Sequence, residues 1–463
     1  MNVLFIYTNI NGTHDDTFAF GLASLVAITK KQGYKAKVLI IHSEDEYEKI
    51  SDALNKEQFD VVALTSVSSQ FMYVKNIAEM VKRIFPETAV FCGGAHPTVD
   101  PRSILECQAI DAFFVGESDY SFIEVLNKIN NHLPYKDTKN LCYAEEGTVK
   151  INSLQPLIQN LDDLPYVDKT TYPYIDSIAP LGGAAQFMFS RGCPYLCSYC
   201  CNHAIAKLYG MRTNKSRARS PESCIREIEE TLKQFPQVKT IWIFDDTFGL
   251  DKKWRSEFLQ KYKERIPIKF ACMGRANHID DEFVKMLAES GCYRISIGVE
   301  SGNDYVRNEI MNRRLTTEQI INAFAVCKKY GLETNAINII GVPGETEEMI
   351  WDTIKLNRKI KPTSSGVNIF YPYKSTVLGD LCFEKDLVDE ERYKKFSSER
   401  RETVLKYPEN FKKKLTKFHQ NWTCLIYPWN ITYRAKRLLM KSPFLWNSLR
   451  SAKRTAYELL KIE

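Results

Sequence analysis

The sequence has no hydrophobic run long enough to span a membrane. A transmembrane helix needs about 20 consecutive apolar residues, and no stretch of the 463 residues approaches that length. No basic segment precedes the apolar run Asn2–Tyr7 and no small-residue cleavage site follows it, so this run is predicted to be a strand and not a signal peptide. No low-complexity tract occurs. With 13 cysteines at scattered spacings, these absences predict a globular cytoplasmic protein of two or three domains with reduced thiols.

Net positive charge is confined to the carboxyl-terminal segment. The net charge is +6, yet Phe411–Glu463 alone carries 12 Lys and Arg against two Glu. No nucleic-acid-binding module accompanies this basic run, so no nucleic-acid partner is expected. Basic and apolar residues alternate there at helical spacing. This pattern fits peripheral membrane contact, a helix folded over an active site, or a solvated helix whose apolar side packs on the protein.

Three cysteines, Cys193, Cys197 and Cys200, stand at C-x3-C-x2-C spacing on one short segment. Iron–sulfur clusters are usually held by four thiolates, so a cubane held by three leaves one iron open to a substrate or cofactor. Open coordination is typical of catalytic metal sites. Cys201 follows directly and is a poor fourth ligand, because adjacent residues rarely point at the same metal. A zinc site with His203 as its fourth ligand is the alternative.

Residues 1–135 alternate short buried strands with helical patterns, which predicts a doubly wound, Rossmann-like parallel sheet. Its strands are predicted at Val3–Tyr7, Lys37–Ile41, Val61–Thr65, Ala89–Cys92 and Ala112–Val115. Ligands bind such sheets at the carboxyl ends of the strands. No G-x-G-x-x-G follows the first strand, so a dinucleotide is not expected. The candidate binding residues, which are ordinary turn residues in the alternative reading, are Ser66, Ser68, Gly93, Gly94, Gly116 and Glu117.

The remaining chain is predicted to contain a linker over 136–183, a second α/β domain over 184–385 and a helical, basic region over 386–463. Six parallel strands with intervening helices predict an open barrel, whose catalytic residues gather at the carboxyl ends of the strands. The cysteine segment follows the first of these strands. They are predicted at Phe187–Ser190, Thr240–Phe244, Lys269–Met273, Arg294–Val299, Glu333–Ile340 and Val367–Tyr371.

The segments Gly21–Leu25, Phe59–Ser66, Gly93–Thr98 and Asp111–Glu117 resemble the cobalamin-binding domain of cobalamin-dependent radical S-adenosylmethionine (SAM) enzymes. The resemblance implies a cobalamin in the base-off form. The Asp-x-His-x-x-Gly motif of the classical cobalamin domain, whose histidine ligates cobalt, is absent. His14 lacks that spacing and is predicted to be a solvated loop residue.

The segments Ile241–Phe248, Ser296–Gly302 and Asn338–Thr346 resemble the barrel of the same family, a partial (β/α)6 radical SAM core. The resemblance implies that the three cysteines hold a [4Fe-4S] cluster. It also implies contacts to SAM at the strand ends, with carboxylates for the methionyl amine or ribose, an arginine for the carboxylate or the substrate, and an aromatic ring and backbone for adenine. These contacts are Asp245 or Asp246, Glu300, Arg275, Tyr199 and Ile340. Without the resemblance, Asp245 and Asp246 read as a helix N-cap pair, Arg275 as a surface charge and Tyr199 as a core residue.

The reaction that the resemblance implies is reductive cleavage of SAM to a 5′-deoxyadenosyl radical. An electron donor such as flavodoxin or ferredoxin would supply the electron, and methylcobalamin would methylate an unactivated carbon of a small-molecule or lipid-like substrate. One alternative keeps the radical step without methyl transfer, as in cyclases, oxidases and rearrangement enzymes. Another is a non-catalytic cobalamin and iron–sulfur redox sensor.

Overall fold

The computed structural model describes residues 1–11, 18–171, 174–178, 182–213, 215–395 and 400–430. His14 and the basic stretch from 431 to 463 lie outside the described residues. Within them the chain forms two sheets that share one hydrophobic core, to which Phe5 and Phe187 both belong.

The amino-terminal sheet has seven strands: β1 Asn2–Thr8, β2 Lys35–Ile41, β3 Val61–Thr65, β4 Ala89–Gly93, β5 Ala112–Phe114, β6 Leu141–Glu145 and β7 Thr148–Ile151. Their order is β2-β1-β3-β4-β5-β6-β7, and the first five are parallel. Alternate residues of β1 enter different clusters, Val3 and Phe5 in one, Leu4 and Ile6 in the other. Both faces are therefore covered, as predicted for a doubly wound sheet. The helices of this part are α1 Phe20–Lys31, α2 Tyr47–Lys56, α3 Phe71–Ile84, α4 Ala95–Val99 and α5 Asp119–Asn130.

Strands β6 and β7 lie inside the stretch that was predicted to be a linker. They form an antiparallel hairpin that adds to the sheet beyond β5, so the sheet extends to Ile151. Leu141 and Cys142 are buried, but the outer part of the hairpin is exposed. Hydrophobic alternation is therefore weak, and the turn at Glu146 and Gly147 is the main signal of a hairpin in the sequence.

The second part of the chain begins with α6 Tyr174–Ile178, and its strands are β8 Ala184–Phe187, β9 Ser190–Arg191, β10 Arg217–Ala218, β11 Thr240–Ile243, β12 Phe270–Gly274, β13 Cys292–Glu300, β14 Glu333–Ile340 and β15 Ser364–Ile369. Six of them form a parallel sheet in the order β15-β14-β13-β12-β11-β8. The edge strands β8 and β15 do not pair with each other, so the predicted fold class, a partial barrel after a doubly wound domain, is confirmed. A separate antiparallel pair is formed by β9 and β10.

The helices of the second part connect these strands or follow them. They are α7 Cys201–Leu208, α8 Pro221–Gln234, α9 Lys252–Arg265, α10 Asp281–Glu289, α11 Thr317–Lys329, α12 Glu347–Ile360, α13 Val377–Glu384, α14 Glu390–Lys395 and α15 Glu409–Ile426.

Helix α15 buries its apolar side on the barrel. Leu415, Phe418 and Trp422 pack in one cluster with Ile340 and Ile369, and the Trp422 indole donates to a serine hydroxyl of β15. This is the arrangement of a solvated basic helix packed on the protein. Among the helices that the structure describes, none has the length and apolar character that a membrane crossing requires.

Candidate functional site

A cavity of about 500 Å³ lies where the carboxyl ends of the two sheets meet. Residues of both domains line it, and much of its lining is apolar, including Phe20, Leu25 and Met188. Five residues predicted from the sequence contribute to its wall: Gly93, Gly94, Gly116, Glu117 and Asp246. Cys201, which the spacing argument had set aside as a ligand, also lines this cavity.

Gly94 and Gly116 stand where no side chain fits. Gly94 has φ +101, and a Cβ there would lie 2.8 Å from both the Ser66 carbonyl oxygen and Thr65 Oγ1. Gly116 has φ +78, and its Cβ would overlap the hydroxyl of Tyr209, the residue after α7. At both positions protein atoms fill the space that a Cβ would take, so the chain needs glycine there for its own packing, and each glycine lines the cavity through its backbone.

The predicted residues Ser66 and Ser68 do not line the cavity but belong to the loop after β3. Ser66 is buried, and its hydroxyl donates to the Val67 carbonyl. Ser68 lies 3.3 Å from Nδ1 of His96, whose Nε2 is 2.9 Å from the Ser103 hydroxyl. Burial lowers the pKa of His96 to about 3, so the ring stays neutral. Through its contacts with Ser68 and Ser103 it holds this loop in place.

The three cysteines of the motif occupy the loop between β9 and α7 as free thiols, with Cys197 buried and the other two half-buried. Burial raises the pKa of Cys193 to about 11, so a bound cation is what would favour the thiolate. In the part of the chain that the structure describes, no three His, Cys, Asp or Glu side chains converge to hold a single metal ion.

The two predicted aspartates have different surroundings. Asp245 Oδ1 accepts hydrogen bonds from the backbone N–H of Phe189 at 2.7 Å and of Ser190 at 3.0 Å. These bonds draw the chain away from β8, which is why that strand ends at Phe187 and not at Ser190 as predicted. Burial raises the pKa of Asp245 to about 6. Asp246 faces the cavity instead, and burial raises its pKa as well.

Glu300, at the end of β13, lies among other buried polar side chains. Glu300 has φ +62, a strained conformation for a residue with a side chain, at a point where the register with β14 shifts. Its Oε1 lies 3.3 Å from Arg313 Nη1, which also donates to the Tyr199 hydroxyl at 2.9 Å. Arg313 was missed by the sequence analysis because nothing distinguishes it from the other basic residues.

Three buried polar atoms of this region have no partner within the described residues: Glu300 Oε2, Arg313 Nε and Arg275 Nε. An unsatisfied buried polar group costs about 1–3 kcal/mol. A ligand that carries an amine, a carboxylate and hydroxyls would satisfy such atoms, and SAM carries all three. The donor set therefore fits SAM.

Ile340 is buried with α15, and its carbonyl accepts from Phe370 N–H at 2.8 Å. Beyond it, the Gly341 N–H donates to Glu345 Oε2 at 2.5 Å. The backbone at Ile340 is thus engaged within the protein, and the turn that follows is braced by a buried carboxyl group.

Burial raises the pKa of Glu345 to about 8, above the value of about 4.3 in an unfolded chain. The folded state therefore holds this proton more tightly, and stability falls as the pH rises from about 4 to 8. We expect Glu345→Gln, which keeps an acceptor for Gly341 N–H, to raise the melting temperature at pH 8.5 and to change it little at pH 5. Thermal unfolding at the two pH values checks this, and equal shifts would contradict it.

Ion pairs join the two domains around the cavity. Arg191, next to the cysteine segment, forms two hydrogen bonds with Asp119 of α5 at 2.8 and 3.1 Å. Burial alone would raise the pKa of Asp119, but Arg191 and a serine hydroxyl outweigh it and the pKa lies below its usual value. The predicted Glu117 pairs with Arg217, so its carboxylate is engaged in this interface.

The last barrel strand makes a second link. Lys374 Nζ lies 2.7 Å from Asp100 Oδ2, and the Ser375 hydroxyl donates to the Val99 carbonyl at 2.6 Å. Ser375 has φ +61, the left-handed region that favours glycine.

We expect Asp119→Ala to lower the free energy of unfolding by about 2–4 kcal/mol, because the half-buried Arg191 charge loses its partner. Arg191→Met should cost at least as much, because it leaves the more deeply buried Asp119 carboxylate without its cation, and the double variant should cost less than the two single losses added. Chemical denaturation of the four proteins checks this. Additive losses would mean that the two side chains act independently.

Comparisons with known proteins agree with this architecture. The model of the radical SAM superfamily matches residues 187–356, and that of the B12 binding domain matches residues 9–126. An uncharacterized methyltransferase of Pyrococcus horikoshii is 29% identical over 82% of this chain and 81% of its own length. An anaerobic magnesium-protoporphyrin IX monomethyl ester cyclase of Rubrivivax gelatinosus is 23% identical over 95% of this chain and 81% of its own.

A solved structure shares the fold. The radical SAM methyltransferase TsrM from Kitasatospora setae, with tryptophan and a SAM analog bound, aligns at a TM-score of 0.70 with 17% identity, covering 83% of this chain and 76% of TsrM. The two family models and the cavity between their domains identify SAM and cobalamin as cofactors of this chain. The chain therefore belongs to the radical SAM enzymes that carry an amino-terminal B12-binding domain.

Proposed function

We propose that this protein is a cobalamin-dependent radical SAM methyltransferase that methylates an unactivated carbon. The observation that carries the proposal is that one cavity is lined by the strand ends of the B12-binding domain and, from the barrel, by Gly192, Cys201 and Asp246. Methyl transfer to a substrate radical requires that both cofactors meet the substrate in one space that excludes water.

Cys193, Cys197 and Cys200 would hold a [4Fe-4S] cluster. When bound, the cluster supplies the electron that cleaves SAM, and cobalamin supplies the methyl group. Of the two predicted aspartates, Asp246 faces the cavity and is assigned to the methionyl amine, whereas Asp245 holds the start of the cysteine loop through Phe189 and Ser190.

The remaining SAM contacts are assigned to the buried polar side chains around Glu300. Glu300 Oε2 and Arg313 Nε have no partner among the described residues and would bind ribose or the amino-acid part of SAM. Tyr199, held by Arg313, and the turn after Ile340 are proposed to lie against adenine. On the cobalamin side, Gly93, Gly94 and Gly116 would approach the corrin ring, while Ser66, Ser68 and Glu117 shape the wall behind it.

Ring formation without methyl transfer is the second candidate. The similarity to the magnesium-protoporphyrin ester cyclase over 95% of this chain favours it. Both candidates share the radical step and differ in whether the product gains a carbon.

The substrate is proposed to be a small molecule with an apolar part, because apolar side chains form much of the cavity wall. A lipid-like substrate and peripheral membrane contact remain part of this proposal, as do a cytoplasmic location and an electron donor such as flavodoxin or ferredoxin. The apolar side of α15 is already buried on the barrel. Membrane contact would therefore rest on its lysines. Replacing Lys412, Lys413 and Lys417 by glutamine should reduce binding of the protein to vesicles of anionic lipid.

The test of the function is incorporation of label. Reconstituted protein, cobalamin, a reductant and SAM with a trideuterated methyl group are incubated anaerobically with small-molecule extract of the source cells. A product that gains a methyl group with three deuterium atoms supports methyl transfer. A product of unchanged carbon number, formed together with 5′-deoxyadenosine, supports the cyclase alternative.

A further inference from the structure

A buried arginine lies against the middle cysteine of the motif. Arg275 Nη1 donates a hydrogen bond to Cys197 Sγ at 3.7 Å, and each of these residues is 6% exposed. The sulfur of Cys193 instead faces the Tyr195 backbone N–H and the Thr247 side chain, and that of Cys200 faces the Cys201 thiol and the Asn202 backbone N–H. Among the three thiols, Cys197 thus receives a charged donor.

The guanidinium is fixed on two further sides. Its Nη2 donates to the Arg313 carbonyl, and its plane lies 3.8 Å from the centre of the Tyr195 ring. The Tyr195 hydroxyl in turn contacts His278 and lies 3.3 Å from Asn277 Nδ2. The side chain is therefore held in place before any ligand binds.

The positive charge of Arg275 is not matched by a carboxylate. No ion pair within 4.0 Å involves Arg275 in the described ranges, and the nearby Glu300 is already paired with Arg313. The resemblance implied that Arg275 binds the SAM carboxylate or the substrate. However, a carboxylate is gripped by two N–H groups on one edge of a guanidinium, and both terminal nitrogens of Arg275 already donate within the protein.

We propose that Arg275 is a positioning residue that raises the reduction potential of the cluster through its bond to Cys197, an inference that rests on the proposed cluster site. Reduction adds one electron to a cluster that three thiolates already make anionic. A buried cation and an N–H···S bond stabilise this added charge, and hydrogen bonds to the sulfurs and net charge are known determinants of cluster potentials. Arg275 thereby makes the cluster easier for the external donor to reduce.

The test is the midpoint potential of the cluster in reconstituted protein without SAM, followed by electron paramagnetic resonance. Arg275→Met should shift the potential to a more negative value, and Arg275→Lys, which keeps the charge, should fall between. Arg294→Met is the matched control, because Arg294 pairs with Glu333 at the opposite end of the same sheet; its potential should equal that of the unsubstituted protein. An unchanged potential in Arg275→Met with weakened SAM binding would overturn the proposal.

A second measurement detects the hydrogen bond itself. In unsubstituted protein labelled with 15N-arginine, the reduced cluster should show a nitrogen coupling in pulsed resonance spectra that Arg275→Lys lacks. If the unsubstituted protein shows no coupling, the hydrogen bond is absent and the proposal fails, whatever the variants do. Failure of that protein to form any cluster would instead refute the proposed function.

Discussion

Cys197→Ala is expected to lose the iron–sulfur absorption of the reconstituted protein and all measurable formation of 5′-deoxyadenosine. A cubane with only two thiolates from this loop has lost one of its three protein ligands, since Cys197 is buried beside Arg275 and the neighbouring Cys201 faces the cavity. Iron content, the visible spectrum and deoxyadenosine formation with SAM and a reductant are the measurements.

Cys201→Ala is the matched control for this experiment. Cys201 is adjacent in sequence but faces the cavity shared by the two domains, so we expect this variant to keep its cluster and its SAM cleavage. A Cys197→Ala protein that still cleaves SAM, or a Cys201→Ala protein that forms no cluster, would contradict the ligand assignment.

Gly94→Ala is expected to weaken cobalamin binding by roughly a hundredfold or more, since its backbone, at φ +101 and ψ −163, lies in a region that costs a residue with a Cβ about 1–3 kcal/mol, and a clash with the strand-end backbone is added. The new Cβ would lie 2.8 Å from the Ser66 carbonyl oxygen and from Thr65 Oγ1. Either the loop after β3 or the wall of the cavity must shift. Retention of cobalamin after gel filtration, read from its absorption spectrum, is the measurement.

Gly147→Ala separates the two causes. Gly147 also has positive φ, +73, but a Cβ there would meet nothing within 4 Å. It lies in the hairpin turn between β6 and β7, away from the cavity lining. This variant should lose comparable backbone stability and keep its cobalamin. Equal loss of cobalamin in both variants would show that domain stability, and not the Gly94 wall, governs binding.

Hydrophobic periodicity was sufficient to predict most of the fold. The strand Glu333–Ile340 was predicted with its observed bounds because alternate residues are buried along its whole length. The predicted first barrel strand was displaced by three residues, since the backbone N–H groups of Phe189 and Ser190 donate to Asp245, and Ser190 pairs with β10 outside the parallel sheet. Such a bond joins residues far apart in sequence, and no local pattern announces it.

The residue types of the site could be predicted from the sequence, but the hydrogen-bond and ion-pair partners of these residues could not. The resemblance named both Asp245 and Asp246, and only the three-dimensional arrangement separates the one that braces a loop from the one that faces the cavity. Arg313 and Arg191 were missed because an arginine shows no pattern until its carboxylate partner is located. The assigned roles of the cysteines and glycines stay predictions that the variants above test.

The central claim is that one cavity serves both cofactors in methyl transfer. The most direct measurement counts 5′-deoxyadenosine and S-adenosylhomocysteine together during turnover of the holoenzyme with its substrate present. Equal amounts are predicted, because each methylated product uses one SAM as radical source and a second to restore the methyl group. Deoxyadenosine without S-adenosylhomocysteine would contradict the claim.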